Sequence, residues 1–282
     1  YSAYGPNKAM AEGLMKGLGV EVEAYDPMIG KDIKKLIRKN TTLIWCESPG
    51  SVTMEIQDIP EIVKVAHQKN VPVALDNTYA AGVLFDAFKF NVDISIQALT
   101  KYVGGHSDLL LGSVSVRDEN AYKTVGPIYM QLGLAVSPDD CSLALRGLQT
   151  LALRLDQLEK STLEVALWLS KNDMIDEVYH PALDTCPGHD IWKRDFTGSA
   201  SVFSFTFIET ISRKEVQEFI NSLNIFKIGL SWGGVTSLAV VYPDLDRPNK
   251  DFGGRLVRLN IGLEAVNDLI NDLDEAISTI RL

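Results

Sequence analysis

The opening part of the chain carries four short runs of apolar residues, TTLIWCE (41–47), VPVALD (71–76), VDISIQAL (92–99) and LLLGSVSV (109–116). They are nearly unbroken by polar residues, the pattern of strands covered on both faces. Helical stretches separate the first three. In DIPEIVKVAHQKN (58–70), Asp58 and Glu61 stand in capping-box spacing and Pro60 fits a first turn. Strand, helix and strand joined by short connections predict a mostly parallel sheet with right-handed crossovers. Residues 137–172 read as one long helical region: Ser137 caps it, Pro138 fits its first position, Asp139 and Asp140 lie on its positive end, and only Gly147 interrupts it.

Beyond about residue 175 the pattern changes to strands with fewer helices between them: SVFSFTFI (201–208), NIFKIGLSW (224–232), TSLAVVY (236–242) and RLVRLNIG (255–262). A closing helix places Val266, Leu269, Ile270, Leu273, Ile277 and Ile280 on one face. The expected fold is α/β: a large domain with a mostly parallel sheet flanked by helices over residues 1–158, and a smaller α+β domain over 159–282. No repeat or low-complexity segment is present.

Composition narrows the functions. At 282 residues and 46% hydrophobic, the chain has ample core material. A formal charge of −10 with no Lys/Arg block argues against a nucleic-acid partner, which needs clustered cations. No run approaches the roughly 20 apolar residues of a membrane span. Three scattered cysteines suggest neither a disulfide framework nor zinc, and a reducing cytoplasm is expected. The chain starts at Tyr1 rather than Met, inside a turn leading into a helix, so upstream sequence is expected.

Ligands of open α/β sheets bind beyond the carboxyl ends of the strands. Two polar segments fall there, LDNTYAAG (75–82) and LTKYVGGHSD (99–108). Asp76 at one strand end and Lys101 at the next, beside Thr100 and glycines, suit a cofactor with a basic ring nitrogen, an aldehyde and a phosphate: pyridoxal phosphate. The carboxylate keeps the ring nitrogen protonated and the lysine bonds the aldehyde. By spacing alone, Asp76 reads equally as a turn or helix cap and Lys101 as a solvated surface group. His106, Ser107 and Asp108 are adjacent in the chain and cannot converge as a nucleophilic relay, so they read as a turn. Cys186 and His189 are too few for a metal site and read as surface loop; no metal is expected.

Eight ordered segments, ESPGSVTMEIQDIP, LDNTYAAGVLF, SIQALTKYVGGHSDLLLG, RGLQTLALRL, HPAL, WKRDFTGSASVFSF, SWGGVTSL and VRLNIGLE, resemble the Cys/Met-metabolism family of pyridoxal-phosphate enzymes along essentially the whole chain. The resemblance implies the aspartate-aminotransferase-like architecture, fold type I. It makes Lys101 the cofactor lysine, Asp76 the partner of the ring nitrogen and Thr100 a phosphate-contacting hydroxyl. Ala98 replaces a serine frequent in the family, which removes one phosphate contact. Tyr4, in AYGP, matches the tyrosine that stacks on the ring and assists proton transfer; Arg258 matches the clamp on the substrate carboxylate. Ser231 and Trp232 lie at the substrate-facing turn. Trp232, together with Ser51 where the γ-type enzymes carry asparagine, points to the β-eliminating branch, which acts on cystathionine and related amino-acid thioethers to give homocysteine, pyruvate and ammonia. The alternatives are γ-elimination or γ-replacement, and, in another class, a non-catalytic assembly or regulatory homologue. Relatives form homotetramers in which a neighbour completes the phosphate site, and the segment that does so would precede Tyr1.

Overall fold

The computed structural model describes residues 1–245, 247 and 250–280. A short helix α1 (Gly5–Met10) leads to β1 (Ile44–Glu47), α2 (Ile59–His67), β2 (Val73–Asp76), β3 (Ile94–Ala98) and β4 (Gly112–Val116). These strands form one sheet in chain order. β1, β2 and β3 are parallel, so Glu47, Asp76 and the turn holding Lys101 emerge at one edge; α2 joins the first two, whereas β2 and β3 are joined by turns without the helix expected there. Glu47 stands directly opposite Asp76 in the register. The capping signal of α2 is real: the Asp58 carboxylate accepts from the Glu61 N–H at 3.2 Å.

β4 is the antiparallel member of the mostly parallel sheet, running opposite to β3. The connection between them holds the lysine turn but no helix, and a parallel return needs a crossover, usually helical.

Helices α3 (Glu119–Gln131), α4 (Pro138–Leu148) and α5 (Leu151–Leu169) follow. The single helix expected over 137–172 is therefore two. The break at Gln149–Thr150 frees the Gly147 carbonyl to accept from Arg154 Nη2 at 2.8 Å. Gly147 itself is pressed against the lysine loop, where a Cβ would fall 2.1 Å from the Val103 carbonyl oxygen.

The second sheet, with α6 (His189–Asp195), α7 (Arg213–Ser222) and α8 (Val266–Thr279) in the same part of the chain, is built from β5 (Ile175–Tyr179), β6 (Val202–Phe207), β7 (Lys227–Ile228), β8 (Leu238–Tyr242) and β9 (Leu256–Asn260), in the order β5-β6-β9-β8-β7. Most of the strand expected over 224–232 is irregular. The Asp272 carboxylate takes the N–H groups of Asn224, Ile225 and Phe226, and Arg258 takes the carbonyls of Leu230 and Ser231, so only Lys227 and Ile228 pair with a neighbour. Arg281 and Leu282 of the expected closing helix lie outside the described residues.

Two apolar cores result. Leu151, Leu155 and Leu158 of α5 pack into the first, around β1 and β2; Val165, Ala166 and Leu169 of the same helix pack into the second, around β6 and β9. Cys186 is not on the surface as expected: it is buried in the first core, its thiol donating to the Met54 carbonyl at 3.4 Å. His106 and Ser107 form a bend, and Asp108 after it pairs with Arg146. No cluster of three metal-ligating side chains occurs among the described residues.

Candidate active site

The site assembles where the carboxyl ends of β1–β3 meet the turn that precedes β8. Asp76 is held by Thr78, whose N–H and hydroxyl both donate to Oδ1, at 3.0 and 2.5 Å. The Thr78 hydroxyl also accepts from the Ala98 N–H at 2.9 Å, which ties the end of β2 to the start of the lysine turn. Both bonds to Asp76 use Oδ1, so Oδ2 is left to accept a further donor. Burial raises the Asp76 carboxyl above its ordinary range, and the two Thr78 bonds partly offset it.

Glu47 was not singled out in the sequence. Its carboxylate is buried beside Asp76, accepting from the Tyr4 N–H through Oε2 and from the Ser51 hydroxyl through Oε1. Burial first, and then the Asp76 charge, push its carboxyl well up, because two neighbouring carboxylates resist ionising together. The available signal was its place as the last residue of an apolar strand run next to the one ending in Asp76.

Lys101 begins its own loop. Its Nζ donates to Ser231 Oγ at 2.8 Å and lies 5.2 Å from the centroid of the Trp232 ring. Burial, then the charge of Arg258, hold its ammonium below the ordinary lysine value, so a neutral amine is within easier reach. Trp232 in turn packs on Tyr102 with ring centroids 5.3 Å apart. Arg258, on β9, is buried; Nη2 donates to the Leu230 carbonyl at 2.6 Å, and the guanidinium lies over the Tyr242 ring at 5.4 Å. Tyr4 is half-exposed, and its phenol is near enough to Arg258 and Tyr242 to act on both.

Thr100 sits one residue before Lys101, but its hydroxyl is engaged: it donates to the Leu111 carbonyl at 3.2 Å and accepts from the Leu111 N–H at 3.0 Å. Donating to a phosphate would require that hydroxyl to turn from Leu111. Lys101, Asp76, Ser231, Trp232 and Arg258 thus converge on the same region, with Tyr4 and Ser51 joined to it through Glu47.

The chain matches the Cys/Met metabolism PLP-dependent enzyme family over residues 1–278. It belongs to that family. A cystathionine β-lyase of Escherichia coli is 41% identical over 288 positions, covering 99% of this chain and 72% of the relative. An L-alanine/L-glutamate racemase of Wolbachia pipientis is 39% identical, covering 97% of this chain and 68% of the relative. The crystal structure of a cystathionine γ-synthase from Xanthomonas oryzae superposes with a TM-score of 0.92 at 28% identity, covering 99% of this chain and 74% of that one. The cofactor of the family is pyridoxal 5′-phosphate, and the donor set fits it: an amine of lowered basicity at one strand end, and at the next a partly buried carboxylate with one oxygen to spare for a ring N–H.

Proposed function

We propose that this protein is a carbon–sulfur lyase that eliminates the sulfur substituent from the β-carbon of cystathionine, releasing homocysteine, pyruvate and ammonia. The observation that carries the reading is the hold of Ser231 and Trp232 on the Lys101 amine, because that amine must both take a proton and give one back. When bound, pyridoxal phosphate supplies an electron sink that makes the substrate α-proton acidic. Lys101 and Asp76 would hold it, with Tyr4, Ser51 and Thr100 around it. In this reading the lowered basicity of Lys101 leaves Nζ free to take the α-proton, and the ammonium so formed donates to the departing sulfur. Arg258 fixes the substrate carboxylate with a planar fork, a task an ammonium performs less well. Ser231 steadies Nζ between the two proton transfers, and Trp232 excludes water from it.

The test is a product analysis. Cystathionine should yield pyruvate. Formation of 2-oxobutyrate would place the enzyme in the γ-eliminating branch, and conversion of L-alanine to D-alanine without pyruvate would make it a racemase. A protein without visible cofactor absorbance would be neither.

The same reading includes a boundary between the units within α5 near residue 158, a cytoplasmic location consistent with three free cysteines, and a homotetramer. Exposed Leu132, Leu134, Val136, Leu145, Leu148 and Leu153, close together in the chain, support self-association. No helix among the described residues is long and apolar enough to cross a membrane.

A further inference from the structure

Arg258 and Asn260 are two apart on β9 and so lie on one face of the strand. Arg258 holds the front of the turn 230–236 by the Leu230 carbonyl. Asn260 holds the rest. Its Oδ1 accepts from the Gly233 N–H at 2.8 Å and its Nδ2 donates to the Thr236 carbonyl at 3.0 Å. The same Oδ1 also accepts from the Ser201 hydroxyl at 2.8 Å, and Ser201 is joined to the Tyr102 hydroxyl at 3.0 Å. The chain of contacts closes on itself, because Tyr102 is the residue after Lys101 and Gly233 is pressed on Lys101: a Cβ at Gly233, whose φ is +80°, would stand 3.0 to 3.1 Å from Lys101 Cβ, Cα and carbonyl carbon. Asn260 is 1% exposed and spends three hydrogen bonds on this arrangement.

We propose that Asn260 is a positioning residue for the reaction, holding the Ser231–Trp232–Gly233 turn down on Lys101 so that the lysine amine is kept between a hydroxyl and an indole and away from water. It touches none of the reacting atoms and acts through Gly233. The idea builds on Lys101 being the reacting amine, but the packing it describes does not depend on which reaction follows.

The consequence is a protonation effect with a fixed sign. The charged group facing Lys101 is Arg258 of β9; Ser231 and Trp232 on the turn are neutral. If the turn lifts, water reaches Nζ, its ammonium is better solvated, and its pKa rises toward the ordinary lysine value. Each unit of rise leaves about tenfold less free amine at a pH below the pKa.

The measurement is competitive acetylation of the cofactor-stripped full chain across pH 7 to 11, read by peptide mass spectrometry at Lys101, with exposed Lys39 as control. Asn260→Leu keeps the branched skeleton and removes all three hydrogen bonds; Gly233→Ala disturbs the same contact from the turn itself. Both should move the Lys101 midpoint upward and cut its labelling at pH 8 about fivefold or more, with Lys39 unchanged. Accessibility alone would raise labelling without moving the midpoint. A folded Asn260→Leu protein with an unmoved Lys101 midpoint overturns the proposal. If that variant does not fold, an unmoved midpoint in Gly233→Ala does so equally. Failure of the functional reading is separate: borohydride reduction of the cofactor-loaded protein would then mark a lysine other than Lys101, whatever the acetylation profile shows.

Discussion

The ends of β1 and β2 bring two acids together, buried Glu47 and partly buried Asp76, whereas the lysine loop and β9 bring two cations together, Lys101 and Arg258. Each pair opposes itself: burial and like charge raise the acid Glu47, and burial and like charge lower the base Lys101. The two pairs differ in what restrains them. The acids are held by neutral donors from their own neighbourhood, Thr78, Ser51 and the Tyr4 backbone. Of the cations, Lys101 is held across units by Ser231 from the second sheet's turn, while Arg258, itself on the second sheet, is held by that turn's carbonyls. Acidic chemistry is thus built into one sheet edge, while basic chemistry depends on how two units meet.

The largest effect should come from removing the proposed proton carrier. Lys101→Ala should lower kcat by at least the 10²- to 10⁴-fold typical of a general acid–base group. Steady-state rates will show it, and borohydride should no longer label the 101 peptide. Arg258→Ala comes next. Truncating one partner of a desolvated charge pair costs about 2–5 kcal/mol, roughly 30- to 4000-fold at 1.4 kcal/mol per decade. That loss should fall on KM more than on kcat, since the substrate carboxylate keeps its charge throughout, and Arg258→Lys should recover only part of it. A collapse of kcat at constant KM would show that Arg258 is no such clamp.

On the acid side, Asp76→Asn should preserve the fold, because the amide is nearly isosteric, while slowing the chemical step and weakening cofactor retention in equilibrium dialysis. Normal turnover with cofactor bound would remove Asp76 from the chemistry. Glu47→Gln tests the pair without any cofactor. A carboxyl raised in the folded state binds its proton more tightly there than in the unfolded chain. Its contribution to stability is therefore greatest at low pH and declines as pH rises from the unfolded glutamate range to the raised folded value, by up to about 1.4 kcal/mol per pH unit. Urea unfolding of the cofactor-free protein should show this decline, and Glu47→Gln should flatten it. Equal slopes in the two proteins would mean that Glu47 ionises normally.

The smallest effect belongs to Tyr242→Leu, which removes the ring under Arg258. A cation–π contact of about 0.5–2 kcal/mol corresponds to a rise in KM of roughly 2- to 30-fold. Tyr242→Phe should keep most of it, since the ring face does the work.

The placement of Asp76 and Lys101 at one sheet edge was legible because Asp76 ends one apolar strand run and Lys101 closely follows another, and strand ends are where such sheets bind ligands. Glu47 has the same signal but only the register shows that it faces Asp76, and register is a long-range property. Asn260 gave no signal, since its partners Ser201, Gly233 and Thr236 are remote in sequence and an asparagine in a strand predicts nothing by itself. The broken helix at Gln149 departs from the sequence expectation because hydrophobic pattern gives an element's type but not its interruptions, and here the break lies where Gly147 is pressed against the lysine loop.

Helix α5 has 19 residues, or about 28 Å at 1.5 Å per residue. One half of it is anchored in each core. Such a rod transmits disorder: melting either core strips half the packing from a helix the other core also uses. Unfolding of the cofactor-free monomer should therefore be cooperative through the rod, with one calorimetric peak whose van't Hoff and calorimetric enthalpies agree. Leu158→Gly, placed near the changeover, should split that peak in two, turning one thermodynamic unit into a pair that melt in turn.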